Sequence, residues 1–182
     1  SYLVILLAGT VIGLIASFII SESIVMTIVG AILSFILSLL FVIVAGRLTG
    51  TIGTSNLPVS GMTIASLVIT TVVFVSMGWT SQAGNKSLLL FGSFIVVAIA
   101  IAGGYCQSQK VTFVVGGNKN EMQRYFTISA IVGVVVVVAV MVLLTEQLQI
   151  TGDNPPFALP QANLMSTLTS GIMSGNLPWV MI

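Results

Sequence analysis

Long apolar runs alternate with short polar segments along the whole chain. Five runs are nearly free of charged residues, and they cover residues 2–20, 24–45, 61–77, 88–102 and 126–144. A helix needs about 20 apolar residues to cross the roughly 30 Å hydrocarbon core of a bilayer. The third run is slightly short, and the fourth reaches this length only if its polar flanks extend it. The pattern therefore predicts five membrane-spanning helices.

The fifth run contains the stretch VGVVVVVAVMVLL, which in water would favour a strand because valine is β-branched. In lipid a lone strand leaves its backbone polar groups unpaired, so a helix is the stable form. The alternation that is typical of a β-barrel is absent along the sequence. We therefore expect an all-α, polytopic transmembrane helical bundle, with residues 1–182 as a single transmembrane region. A shorter segment, 164–173, is predicted to be a short helix or the start of a further span.

One polar segment interrupts the apolar pattern with residues that disfavour a continuous helix. The stretch GTIGTSNLPVSGMTI occupies residues 50–64. Pro58 has no backbone donor and is tolerated in the first turn of a helix, and Ser55 or Asn56 can cap that turn. Gly46, Gly50 and Gly53 permit unusual backbone angles or close approach of a neighbour.

Two interpretations of this interruption stay open at the level of sequence. In the first, residues 46–60 form a loop outside the membrane, and GRLTG is a packing site of small residues. In the second, the helix is discontinuous or re-entrant at membrane depth, and its free backbone amides bind a solute. The triplet Asn-Leu-Pro recurs at residues 176–178, which makes a second interrupted segment a weaker hypothesis.

Composition assigns the chain to the membrane and excludes several functional classes. Hydrophobic residues make up 57% and charged residues 5% of the sequence, and its mean hydropathy is +1.19. The net charge of +1 gives no general attraction for nucleic acid. The sequence has no histidine and one cysteine, so we expect no metal cluster, no cofactor and no intrachain disulfide. No catalytic motif is visible, and we expect the protein not to be an enzyme.

The basic residues are unevenly shared between the predicted loops. If all five runs cross, Arg47, Lys110, Lys119 and Arg124 lie on one side of the membrane and Lys86 on the other. The positive-inside rule then predicts that residues 46–60 and 103–125 are cytoplasmic loops.

Candidate solute-binding residues are the polar or helix-breaking ones next to apolar runs. For each of them a purely structural role is the alternative: helix capping, bonding to helix carbonyls, a lysine extending to the interface, or a proline-rich loop. The set is Asn56, Pro58, Ser60, Thr63, Gln107, Lys110, Gln161 and Asn163.

Three segments, in order, resemble a known family. TSNLPVSGMTIASL at residues 54–67 looks like the Asn-Pro-Val-Ser-Gly segment of the oligopeptide transporter family, which includes the yellow-stripe-like metal-chelate carriers. QSQKVTFVVGGNKNEMQ and FALPQANLMSTLTSGIMSGNLPWVMI, residues 107–123 and 157–182, are similar to its later motifs. The resemblance implies a proton-coupled secondary transporter of short peptides or chelated metals. It also implies that this chain is part of a longer protein, because such proteins have more helices.

The sequence departs from the family pattern at three positions. Leu57 stands where many relatives have asparagine, and Ser108 and Asn176 stand where an aspartate is expected. The changes at Ser108 and Asn176 remove carboxylates, and the three changes leave the coupling mechanism and the substrate class open. We expect a secondary active transporter in the plasma membrane, which binds a small solute and protons and which forms a monomer or a homo-oligomer. A channel and a scaffold subunit that does not transport are the alternatives.

Overall fold

The computed structural model describes residues 23–148 and 159–175, together with residues 13, 15, 18 and 19, which are helical. Five α-helices follow one another within the two continuous stretches, and no strand occurs in them. They are α1 (Ile24–Ile52), α2 (Val59–Ser76), α3 (Gln82–Val114), α4 (Lys119–Leu148) and α5 (Pro160–Ser174), with a single 3₁₀ turn at Thr54–Asn56 between α1 and α2. The predicted all-α fold is therefore confirmed for the described residues. Most of the predicted span at 2–20 lies outside them, as does the triplet at 176–178.

Four of these helices, α1 to α4, are long and apolar enough to cross a membrane. Helix α4 is the clearest example, because no residue in its most apolar stretch is buried inside the structure. Its side chains from 131 to 143 are all exposed and, apart from Gly133, all apolar. A helix that is hydrophobic on every side is stable in lipid or inside a larger bundle and not in water.

Helix α3 lies at the centre of the bundle and contacts α1, α2 and α4, while α5 packs on α2. Helices α1 and α3 run parallel at a nearly constant sequence offset, since Gly30 faces Phe91 and Gly46 faces Cys106. Helix α2 returns the chain between them. Two apolar clusters hold the three helices together: Leu37, Ala45, Leu57, Met62, Ile95 and Ile99 near one end, and Met26, Leu67, Phe74, Leu88 and Phe91 near the other.

Glycines let these helices approach closely. A Cβ atom on Gly30 would overlap the ring of Phe91, and one on Gly92 would overlap the side chain of Leu67. Both contacts are internal to the apolar clusters, where Phe91 and Leu67 are buried. Small residues at such positions are the usual way in which membrane helices gain packing contacts.

The prediction that residues 103–125 form a loop is wrong, because most of that segment is helical. Helix α3 continues through the polar residues to Val114, and the connection to α4 spans only 115–118. No proline interrupts this part, so continued helix formation satisfies each backbone donor until Gly116, with φ of 72°, turns the chain. Lys86 also lies within a helix, since Ser81 caps α3 by accepting a hydrogen bond from the backbone N–H of Gly84 at 3.2 Å.

The interruption at 46–60 is shorter than predicted. Gly46 and Gly50 are helical, and α1 ends only at Ile52. Gly46 provides close approach to Cys106, whose Sγ would be 3.3 Å from an added Cβ, whereas Gly50 has open space around its Cα. Within residues 46–60, the glycine with a positive φ angle is Gly53, at 81°.

Replacing Gly30 by alanine tests the close packing of α1 on α3. Because Phe91 is buried and cannot withdraw, we expect Gly30→Ala to destabilise the fold by about 1–3 kcal/mol. Thermal unfolding of the detergent-solubilised full-length protein, followed by loss of the monodisperse peak, measures the effect. Gly133→Ala is the matched control, since its added Cβ meets nothing within 4 Å. Equal midpoints for the two variants would contradict the packing described here.

Candidate solute site at the helix break

The break between α1 and α2 is a compact, hydrogen-bonded turn and not a loose loop. The Gly53 N–H donates to the Thr49 carbonyl at 3.0 Å and closes the end of α1. The Leu57 N–H donates to the Thr54 carbonyl at 3.2 Å within the 3₁₀ turn, and the Val59 N–H donates to the Leu57 carbonyl at 2.8 Å. The chain thus reverses direction in the six residues 53–58 with few backbone groups left free.

Two side chains from α3 bind the backbone groups that the break exposes. The Oε1 atom of Gln107 accepts a hydrogen bond from the Thr54 N–H at 2.7 Å. The Nζ atom of Lys110 donates to the Gly50 carbonyl at 2.6 Å. Helix ends leave such donors and acceptors without partners, and a cation also suits the negative end of the α1 dipole. Because the two residues lie one turn apart on α3, they hold the last turn of α1 and the start of the following 3₁₀ turn.

A glycine on α3 makes room for the break. Gly103 is buried, and a Cβ atom there would lie 2.9 Å from Leu57 Cδ2, 3.2 Å from Thr54 Cγ2 and 3.4 Å from Thr49 Oγ1. Leu57, which is only 8% exposed, inserts into the apolar cluster at this end of the bundle. The break is therefore anchored by an apolar side chain as well as by the two polar contacts.

An open depression of about 330 Å³ lies beside the break, which is near the lower limit of known ligand pockets. Its polar wall comes from the end of α1 and from α3, and valines of α3 form an apolar wall. Lys110 carries the one formal charge in this lining: Thr49, Gly53, Gln107, Lys110, Val111, Val114 and Val115. An acceptor group with an apolar neighbour fits such a surface.

Thr49 is the unusual member of this lining. Its side chain is 1% exposed, yet within the part of the chain that the structure describes its hydroxyl has no hydrogen-bond partner. A buried polar group without a partner costs about 1–3 kcal/mol. The end of α1 is therefore held in a conformation that is not the most favourable one for this hydroxyl.

A second depression, of about 450 Å³, opens between α3 and α4, and Lys110 lines both. Its lining is Cys106, Gln109, Lys110, Thr112, Phe113, Gly117, Lys119 and Met122. Next to it, the Tyr105 hydroxyl accepts hydrogen bonds from Gln109 at 3.1 Å and from Gln123 at 2.5 Å. The Tyr105 ring packs edge-on against Phe126, with ring centroids 5.4 Å apart. These contacts hold α4 against α3 at the end of the bundle where the break lies.

The structure brings together some of the predicted site residues. Gln107 and Lys110 contact the break directly, and Pro58 lies within it. Asn56 and Ser60 are exposed at the same end of the bundle. The prediction that Ser55 or Asn56 caps α2 is wrong. Pro58 occupies the capping position of α2 without a side-chain bond, and the Asn56 Nδ2 group donates to the Ile52 carbonyl at 3.4 Å.

Thr63 begins a buried polar face of α2 that also includes Ser66 and Thr70. Each hydroxyl donates to a carbonyl of its own helix, at 2.7 Å to Val59, 2.8 Å to Thr63 and 2.7 Å to Ser66. Bonding to helix carbonyls, the structural alternative for Thr63, is therefore the arrangement found. Their hydroxyl protons are used within α2, so only the acceptor capacity of each oxygen is left for a solute.

Gln161 and Asn163 are exposed in the first turn of α5. Helix α5 packs on α2, and its Ser170 accepts a long 3.5 Å hydrogen bond from Asn85, near the start of α3. Within the described residues, no hydrogen bond connects Gln161 or Asn163 with the break. The structure therefore does not join these two residues to the site formed by Gln107 and Lys110.

Sequence reasoning missed Thr49 and Gly103. Both positions are defined by a contact between α1 and α3, and the two residues lie 54 positions apart in the chain. A weak signal was present, because Gly103 and Gly104 stand where the apolar run of α3 meets its polar end. Paired glycines at such a boundary are typical of a close helix contact.

The fold defines a class of protein: a polytopic integral membrane protein in which the turn between two antiparallel helices is fixed against a central helix. Comparison with known proteins is consistent with this. The sequence profile described as "OPT oligopeptide transporter protein" matches residues 1–182, so the chain belongs to the OPT oligopeptide transporter family. The predicted family resemblance is thereby confirmed.

A Haemophilus influenzae protein named "Putative oligopeptide transporter" is 29% identical to the chain over 155 residues. The aligned part covers 76% of this chain and 24% of that relative, so the chain spans about a quarter of the relative's length. No solved structure matches the chain.

Gln107 can be tested as the side chain that holds the break. Replacement by leucine leaves the Thr54 N–H without its acceptor, so we expect amide hydrogen exchange at Thr54 to accelerate at least about tenfold. Gln107→Glu keeps an acceptor oxygen at the same place and should retain slow exchange. Mass spectrometry of peptides that cover 53–58 measures both variants. If Gln107→Leu exchanges like the wild type, the contact does not hold the break.

Proposed function

We propose that this chain forms part of a secondary active transporter for oligopeptides, or for metals chelated by amino-acid-derived ligands, in the plasma membrane. The observation that carries this proposal is the tight turn between α1 and α2, where Lys110 of α3 binds the last turn of α1 and Gln107 binds the first residue of the 3₁₀ turn. Membership of the OPT oligopeptide transporter family supports transport over catalysis. Co-transport of protons as the driving force rests on the family resemblance and is part of the same proposal.

The solute binds beside the break, in the depression at the end of α1. Helix ends present free backbone groups and a helix dipole to a bound solute, and secondary transporters use them for this purpose. Gln107 and Lys110 line the depression. Asn56 and Pro58 in the turn, and Ser60 and Thr63 in α2, are part of the same proposal as further solute-binding residues. Gln161 and Asn163 belong to the proposal only if another part of the complete protein brings α5 to the solute.

Movement of the helices relative to one another then exposes the solute to each side in turn. The break suits such movement because it is held by three separable contacts: two polar ones from α3 and the buried Leu57 side chain. The end that carries Arg47, Lys110, Lys119 and Arg124 faces the cytoplasm in this proposal, as the positive-inside rule predicts. Contact between Lys110 and Gly50 supports the placing of these residues at one end.

Uptake into proteoliposomes tests the proposed activity with the full-length protein. We expect saturable uptake of tripeptides to pentapeptides or of chelated iron, accelerated when the outside is more acidic than the inside. Saturation follows from a binding step, and acceleration follows from proton co-transport. Flux that neither saturates nor responds to the pH gradient would indicate a channel. No flux with any of these solutes would favour a scaffold subunit.

Cysteine labelling tests whether the solute binds at the break. Single cysteines at positions 53–60, in a background with Cys106→Ala and with any other cysteines of the full-length protein replaced, should react with a water-soluble thiol reagent. We expect a transported solute to slow labelling at least about threefold at position 53, which lines the depression. A cysteine at Ser81, at the opposite end of α3, should label at the same rate with and without solute. The absence of labelling at every position from 53 to 60 would contradict a water-filled solute site.

A further inference from the structure

We infer that Lys110 is the residue that recognises a carboxylate of the solute, by exchanging its hydrogen bond from the Gly50 carbonyl to that carboxylate. The inference rests on the proposed function and specifies which chemical group of the solute binds at the break. A peptide offers such a group at its C-terminus, and a chelator derived from amino acids offers one on its ligand arms. The shared chemistry is the carboxylate.

The charges around the depression favour an anionic group. Lys110 supplies the one formal charge of the lining, and no acidic residue contributes to it. In the part of the chain that the structure describes, the Lys110 ammonium donates to a neutral carbonyl, that of Gly50, at 2.6 Å. The one acidic side chain that the structure describes in the neighbouring α4, Glu121, lies in the first turn of that helix and is exposed. The ammonium thus has a hydrogen bond but no opposite charge beside it.

A carboxylate competes well against the present partner of Lys110. A hydrogen bond between two ionised groups is shorter than one to a neutral carbonyl and roughly twice as strong. The ammonium has three donors, so it can rotate from Gly50 towards the depression without leaving its position on α3. Val111, Val114 and Val115 form the apolar wall on which the uncharged part of the solute can pack.

Exchange of this hydrogen bond also links binding to the helix break. When Lys110 turns to the solute, the Gly50 carbonyl in the last turn of α1 loses its partner. Thr49, the preceding residue, already has a buried hydroxyl without a partner. Solute binding therefore removes one polar contact between the end of α1 and α3, while the Gln107 contact and the buried Leu57 side chain remain.

The test compares a peptide with its C-terminal amide in proteoliposomes that contain the full-length protein. We expect the wild type to take up the free acid with an apparent affinity at least about tenfold higher than that of the amide, since one charged hydrogen bond is lost. Lys110→Gln should remove this preference, so that the acid-to-amide ratio falls to about one. Lys86→Gln, which removes a lysine at the opposite end of α3, is the control and should keep the wild-type ratio. A second arm compares a chelated iron complex with the methyl ester of its ligand and shows which source supplies the carboxylate.

The ratio of acid uptake to amide uptake distinguishes carboxylate recognition by Lys110 from a purely structural role of this residue. If Lys110 only caps α1, Lys110→Gln reduces uptake of acid and amide equally and the ratio is unchanged, which overturns the inference. Equal uptake of acid and amide by the wild type also overturns it but leaves the proposed transport function intact. Absence of uptake for every peptide and chelate refutes the proposed function itself.

A measurement on the wild type covers the case in which Lys110→Gln does not fold. Acetylation of lysines by an amine-reactive reagent, followed by mass spectrometry, reports access to each ammonium group. The peptide acid should protect Lys110 and not Lys86, and the amide should protect neither. Equal protection of Lys110 by acid and amide overturns the inference, because steric cover without charge recognition would then explain it.

Discussion

The end of a helix leaves backbone donors and acceptors without partners inside that helix, and this constraint organises the region around residues 53–58. These groups must find other partners. The chain meets this requirement with a 3₁₀ turn, one buried leucine, and two polar side chains from α3. The same arrangement leaves an open depression beside the break with a single positive charge. A structural necessity thus creates the surface at which a solute can bind.

Helix α3 takes the central position because it combines two closely packed glycines, Gly92 and Gly103, with apolar and polar segments. Gly92 receives Leu67 of α2, and Gly103 receives the break, while Phe91 fills the space over Gly30 of α1. The end of α3 beyond Gly103 is polar, and it carries Gln107 and Lys110 without leaving the helix. Packing and site chemistry are therefore properties of one rigid element. A residue on such an element is positioned more precisely than one on a loop.

The contacts at the break differ in how easily they are exchanged. Leu57 is buried among apolar side chains, so its release exposes apolar surface. Gln107 and Lys110 are both exposed, and their hydrogen bonds can be transferred to another partner with little loss. The unpartnered hydroxyl of Thr49 shows that the end of α1 is not at its most favourable hydrogen bonding.

The sequence by itself determined the membrane class, the helical fold, the family and the approximate place of the break, because apolar length, proline and glycine are local signals. It could also indicate Gln107 and Lys110 as polar residues beside an apolar run. It misplaced the ends of the helices: polar segments such as 103–114 are helical, since a helix continues wherever its backbone bonds can still form. Only the tertiary structure decided that Gln107 and Lys110 bind the break, that Gly103 makes room for it, and that Thr49 lacks a partner. Those facts depend on the parallel contact of α1 with α3, and helix periodicity specifies which residues share a face but not which helix covers that face.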